Sequence, residues 1–242
     1  MRVLRPEGKS RFVLFCDHAS NHVPAELNGL GLPASELERH IAYDIGAAGV
    51  TEVLSEEFDA PAVLSGFSRL VIDCNRHLDA ADLIPEVSDG TEVPGNRDVD
   101  REQRIAAWFR PYHDAVEAIL DERKARGIAS ITVSVHSMTP SLSSGKAAGQ
   151  FRPWQISLSS YRDRSLTGIL LRELRAKGDA EIGDNQPYDL DPAVDYSTPY
   201  HALRRGLQHV QVEFRQDEIA TPEGQRQWAL RFAKALRALE LH

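Results

Sequence analysis

The chain has 242 residues, 42% hydrophobic and 26% charged, with a formal net charge of −8 at pH 7. That size and balance suit one soluble globular domain, 1–242, with a sizeable core, and the negative charge argues against nucleic acid as a partner. No apolar stretch approaches the roughly 18 residues of a membrane span, and no signal-peptide pattern opens the chain, so no membrane contact and a cytoplasmic location are expected. The two cysteines, Cys16 and Cys74, sit in apolar runs with no CxxC spacing and read as buried thiols.

Arg11–Cys16 is a continuous apolar run, as in a central strand buried on both faces. A polar loop, Asp17–Pro24, follows it, then a turn-like stretch over 27–32 and a short helix from Ser35 to His40. Asp44 opens a helix over Ile45–Phe58. Ala62–Ser65 and Leu70–Asp73 read as two strands, or as one bent at Gly66, ending in Asp73-Cys-Asn75-Arg76. Asp79–Val99 reads as a long loop of the kind that covers a site. Asp100 caps a helix running to Arg126 and ending at Gly127, with Pro111 predicting a kink or break. Ile131–Val135 is a β-branched strand, and Thr139–Gly149 is a loop. A strand over Trp154–Leu158, a helix over Asp163–Lys177 and an irregular stretch from Asp184 to Tyr200 come next. Val210–Phe214 is a late strand, and Thr221-Pro222 starts a closing helix to about Leu239.

Strands alternating with helices predict an α/β fold: a mixed, mostly parallel sheet with helices on both faces. Ligands of such sheets sit beyond the carboxyl ends of the strands. His18, Arg76, His136 and Glu213 all fall at such ends. Two histidines suit a catalytic zinc, which takes a third protein ligand and water. Asp44 is the candidate third ligand, with Asn21 and His22 as alternatives; as a plain helix cap Asp44 would have no such role. Glu213, in an apolar strand, needs a partner. It reads either as an ion pair with Arg215, two residues on, or as a general base. Arg69 suits polarising a scissile carbonyl, and Asn75 with Arg76 suits holding a carboxylate. Asp73 belongs to that substrate segment and suits orienting an arginine. Arg152 and Tyr196 are loop residues able to line a pocket, and His201 reads as a surface helix residue. No G-x-S-x-G elbow and no nucleotide-binding glycine motif is present.

The set His18-Ala-Ser-Asn-His-Val-Pro24, Asp44-Ile-Gly46, Ser68-Arg69 through Asp73-Cys-Asn-Arg76, His136-Ser137 and Glu213-Phe-Arg-Gln-Asp217 resembles the N-formylglutamate amidohydrolase family over residues 12–235. That resemblance implies a three-layer α/β/α sandwich like that of the zinc carboxypeptidases and aspartoacylase-type deacylases. It implies one zinc held by His18, Asp44 and His136, a late base at Glu213, and Asp73, Asn75 and Arg76 as the substrate segment. Those relatives carry His-x-x-Glu; here Asn21 stands in place of that Glu, and Asp44 occupies the position before the helix. The implied substrate is a small N-acyl amino acid, N-formyl-L-glutamate first. Other N-acyl amino acids, small peptides, or metal and anion binding without catalysis are the alternatives.

Overall fold

The computed structural model describes residues 1–145 and 148–241. In chain order it forms β1 (Arg2–Leu4), β2 (Phe12–Cys16), α1 (Ala34–Leu37), α2 (Ala47–Phe58), β3 (Ala62–Leu64) and a small hairpin of β4 (Val87–Ser88) and β5 (Thr91–Glu92). There follow α3 (Arg101–Arg104), α4 (Arg110–Ala125), β6 (Ile131–Met138), β7 (Ile156–Ser159), α5 (Ser165–Arg175), β8 (Ile182–Asp184), α6 (Ser197–His201), β9 (Gln208–Arg215) and α7 (Pro222–Arg237). Seven strands make one sheet in the order β1-β3-β2-β6-β9-β7-β8. β3, β2, β6 and β9 run parallel; β1 is antiparallel to β3, and β7 to β9.

The period of two along β2 builds both cores. Phe12, Leu14 and Cys16 join one apolar cluster with α2, α5 and α7, while Val13 and Phe15 join another with Phe109, Tyr112 and Val116. The sheet therefore lies between two apolar layers, which is the expected α/β/α sandwich. No described helix is long and apolar enough to cross a membrane.

Four expectations change. Leu70–Asp73 is not a strand. β3 already has β1 and β2 as neighbours, so neither side of β3 is open to it. Its apolar side chains are buried, while the backbone N–H groups of Ser68, Arg69 and Asp73 donate to loop carbonyls of His22, Ala42 and Leu83. The segment thus crosses the end of the sheet as a fixed loop. The kink expected at Pro111 takes the form of a π-helical turn, Ile105–Phe109, just ahead of it. The wider turn accommodates a ring that would clash with a carbonyl four residues back. The long loop 79–99 contains the β4–β5 hairpin, turned at Asp89-Gly90 with both φ positive. β8 and the part of α6 before His201 lie in segments where no strand or helix was expected. Of the expected 139–149 loop, 146 and 147 lie outside the described residues.

Candidate active site and metal cluster

β2, β6 and β9 end at one edge of the sheet. His18 follows β2, and His136 lies on β6 directly beside Glu213 on β9. Asp44 sits just before α2, whose N-cap is Gly46 rather than Asp44. Gly46 has φ +81°, and a Cβ there would lie 2.2 Å from the Ile219 carbonyl oxygen, so glycine is required for the turn that delivers Asp44.

His18, Asp44 and His136 offer ligand atoms within 4.8 Å of one another, all buried. His136 Nδ1 lies 2.9 Å and His18 Nδ1 3.4 Å from Asp44 Oδ2. The far nitrogens are held from behind: His18 Nε2 lies 2.7 Å from Asp73 Oδ1, and His136 Nε2 lies 2.9 Å from Ser134 Oγ. Metal-binding imidazoles are oriented in this way, one nitrogen to an oxygen partner and the other free for the ion. His18 Nδ1 has no hydrogen-bond partner among the described residues although buried. Two imidazole nitrogens and a carboxylate oxygen suit zinc chemically, so these residues fit a divalent ion. The electrostatics agree. Burial opposes charge on both rings, and Arg69 opposes it at His18, yet Asp73 and Asp44 raise the pKa of His18, while Asp17 and Asp44 raise that of His136. The acids draw positive charge into the cluster. Asp44 itself is held well below the usual carboxylate range, against burial, by His18 and His136.

Glu213 is 6% exposed and faces the same cavity. Burial pushes its pKa up to about 7 against the pull of His136, and the Asp44 charge pushes the same way. The alternative of an ion pair with Arg215 fails: Arg215 bonds Asp217 and Glu218, carried back to it by the turn after β9. Arg69 donates through Nε to Asp73 Oδ2 at 3.0 Å, and its Nη1 lies 3.8 Å from Asp44 Oδ1. Arg76 donates to Asp82 and to the Asn75 carbonyl.

Arg69, Asn75, Arg76, His18, Asp44, His136 and Glu213 all line one cavity of about 390 Å³. Asp73 is the exception. Its Oδ1 accepts from the Asn75 N–H and meets His18, and its Oδ2 accepts from Arg69. Those contacts occupy both oxygens, so it orients the others and does not reach the cavity. Asn75 accepts from the Tyr196 and Ser197 N–H groups and donates to Asp195, leaving one Nδ2 proton for a ligand. Neither alternative ligand joins the cluster: Asn21 donates to the Leu37 carbonyl, and His22 is exposed.

Other residues take unexpected places. His201 is fully buried, its Nε2 2.8 Å from His113 Nδ1. Tyr196 stacks on Tyr200 and does not line the cavity, whereas Arg152 does. Asp17 has one oxygen held by Tyr112 and Ser197, while the other lies 3.4 Å from His136 Nε2 without a hydrogen bond. Burial works against its charge, but His136, His18 and Tyr112 bring its pKa down to about 2. Its position next to His18 was the one sequence signal for it; its contact with His136 depends on β2 lying beside β6.

A family model described as N-formylglutamate amidohydrolase matches residues 10–220. Among solved structures, a gene product of Agrobacterium tumefaciens superposes with a TM-score of 0.90 at 35% identity, over 99% of this chain and 95% of that one. The N-formylglutamate amidohydrolase of Ralstonia eutropha JMP134 superposes with a TM-score of 0.74 at 19% identity, over 99% and 97% of the two chains, and shares the fold. No match was found among curated proteins. With a family match over most of its length and the motifs of that family converging on one cavity, the chain belongs to the N-formylglutamate amidohydrolase family.

Proposed function

We propose that this protein is a zinc-dependent amidohydrolase that cleaves N-formyl-L-glutamate to formate and L-glutamate. The observation that carries the reading is the meeting of a buried His18-Asp44-His136 cluster, a free carboxylate poised near neutrality at Glu213, and Arg69 and Arg76 in one cavity. A divalent ion held by His18, Asp44 and His136 would act as a Lewis acid and lower the pKa of a bound water.

The chain's own groups supply the rest. Glu213 takes a proton from the attacking water, whose oxygen adds to the formyl carbon. Arg69 stands beside the cluster, fixed by Asp73, and donates to the oxyanion that develops on the formyl oxygen. Asn75 and Arg76 hold the carboxylate next to the scissile amide. Glu213 returns its proton to the nitrogen as the C–N bond breaks, giving formate and the free amine. Asp73 and Ser134 position the two histidines. One domain, 1–242, carries the activity, and two buried free thiols support a cytoplasmic location.

The test is formate release from N-formyl-L-glutamate before chelation, after it, and after zinc is restored. Loss and recovery of turnover support the reading; no formate from the zinc-loaded protein rejects this substrate.

A further inference from the structure

Three arginines line the cavity, and two of them are neutralised in place. Arg69 is paired with Asp73, and Arg76 with Asp82. The third, Arg152, is only 7% exposed, yet its guanidinium meets no carboxylate within 4.0 Å among the described residues. Its partners are neutral: Nη1 donates to the Thr139 carbonyl at 3.1 Å, and Nη2 to the Tyr188 hydroxyl at 2.8 Å. The guanidinium also lies 5.0 Å from the Tyr188 ring centre. A buried cation without a counter-ion is costly, and a guanidinium has five N–H donors, of which these contacts engage two. The backbone around it is fixed: the Arg152 N–H donates to the Pro140 carbonyl, and its own carbonyl accepts from Arg215. Arg152 is therefore a rigidly mounted, uncompensated positive charge in the wall of the cavity.

We propose that Arg152 binds the side-chain carboxylate of the substrate and sets the enzyme's preference for acidic N-acyl amino acids. This rests on the proposed deformylase activity and assigns the two carboxylates of that substrate to different walls. Asn75 and Arg76 are tied to the cluster through Asp73, which contacts His18, Arg69 and the Asn75 N–H. They belong to the α-carboxylate, one carbon from the nitrogen being released. Arg152 has no such tie. It is mounted on Thr139, Pro140 and Tyr188, where a carboxylate at the end of a side chain can reach it while the amide stays at the cluster. A bidentate guanidinium–carboxylate pair satisfies both partners, whereas a neutral carboxamide leaves the cation unpaired.

The experiment compares kcat/KM for N-formyl-L-glutamate, N-formyl-L-glutamine and N-formyl-L-isoglutamine, whose α-carboxylate is the amidated one, in wild type, Arg152→Gln and Arg152→Lys. Thermal melting checks that each variant is folded. Wild type should prefer glutamate over glutamine about a hundredfold. Arg152→Gln should lose about a hundredfold on glutamate and on isoglutamine, with under about a threefold change on glutamine; Arg152→Lys should fall between. Equal loss on all three substrates makes Arg152 structural and overturns the proposal. Loss on glutamine but not on isoglutamine places it at the α-carboxylate and overturns it too. Calorimetric binding of L-glutamate and L-glutamine to the same proteins needs no turnover. If wild type hydrolyses nothing yet prefers L-glutamate through Arg152, the deformylase reading fails and the carboxylate site stands. If it neither turns over nor prefers L-glutamate, both fail.

Discussion

Glu213→Gln isolates proton transfer from every other contribution of the site. Glu213 is buried, and no hydrogen bond to its carboxylate is present among the described residues, so no network collapses when it changes. Gln keeps the shape and removes only the ionisable proton. General-base catalysis contributes about a hundredfold to ten-thousandfold, or about 3 to 5 kcal/mol of barrier. We expect kcat to fall about a thousandfold with zinc still bound at wild-type stoichiometry. The pH profile supplies a second reading. Burial brings the Glu213 pKa up to about 7 without zinc, and a divalent ion beside it pulls the value down, so wild-type kcat should rise with pH along a limb that ends at or below about pH 7; the variant should lack that limb. Stability should move the other way. A carboxyl with a raised folded pKa destabilises the fold as pH climbs from its unfolded value near 4.5 through about 7, because the unfolded chain gives up the proton first. With both proteins zinc-free, the variant should therefore melt higher than wild type at pH 8, and the gap should close toward pH 4.5. The assays are steady-state formate release from pH 5 to 9 and thermal melts at both ends. Turnover within tenfold of wild type, or an unchanged pH limb, refutes the assignment of Glu213 as base.

Zinc at a hundred times its dissociation constant should stabilise the chelated protein by about 2.7 kcal/mol, a rise in Tm of roughly 5–10 °C that His136→Ala abolishes. Asp73→Asn should weaken zinc about tenfold to a hundredfold in competition with a chromophoric chelator, because His18 loses the carboxylate that orients it. Gly46→Ala should cost about 2 kcal/mol in urea unfolding, since the new Cβ meets the Ile219 carbonyl oxygen and φ is +81°. Burial brings the pKa of His113 down to about 4 and, with the neighbouring His113, that of His201 to about 2. Below the unfolded value near 6.5 the unfolded chain takes up protons that the folded rings refuse, so stability falls from pH 6.5 toward 4, by about 3 kcal/mol for His113 alone. In His113→Phe the slope of unfolding free energy against pH should be shallower across that window.

The sequence made the central strands legible because they are continuous apolar runs, and the helices because they carry caps and periodicity. The Arg69–Arg76 segment shows where such reading stops. Leu70, Val71 and Ile72 look like a strand because they are apolar and bounded by charge, and they are indeed buried. Whether a buried run is a strand depends on a free neighbour in the sheet, and β3 has none to offer. The same limit applied to Glu213 and Arg215. A period of two puts them on one face, but the turn of 216–218 brings Asp217 and Glu218 to Arg215 and leaves Glu213 without an ion-pair partner among the described residues.

The loop that replaces the expected strand also explains how so many charges coexist at the end of an apolar sheet. A strand would have spent its backbone on a ladder and pointed Asp73 and Asn75 to one face, with Cys74 to the other. The loop instead folds the chain back so that Asp73 Oδ1 meets His18 and accepts from the Asn75 N–H, while Asp73 Oδ2 accepts from Arg69. A single buried carboxylate thereby orients a candidate metal ligand, the group suited to the oxyanion and the start of the proposed α-carboxylate site. Its pKa is held well below the usual range, against the cost of burial, by Arg69 and His18. Because the same charge holds all three, their spacing is fixed before any ligand arrives, which is the preorganisation that proximity and oxyanion stabilisation require. Arg152 stands outside that network with no carboxylate of its own among the described residues. The wall around Asp73 is complete without a ligand, and the wall around Arg152 is completed by one.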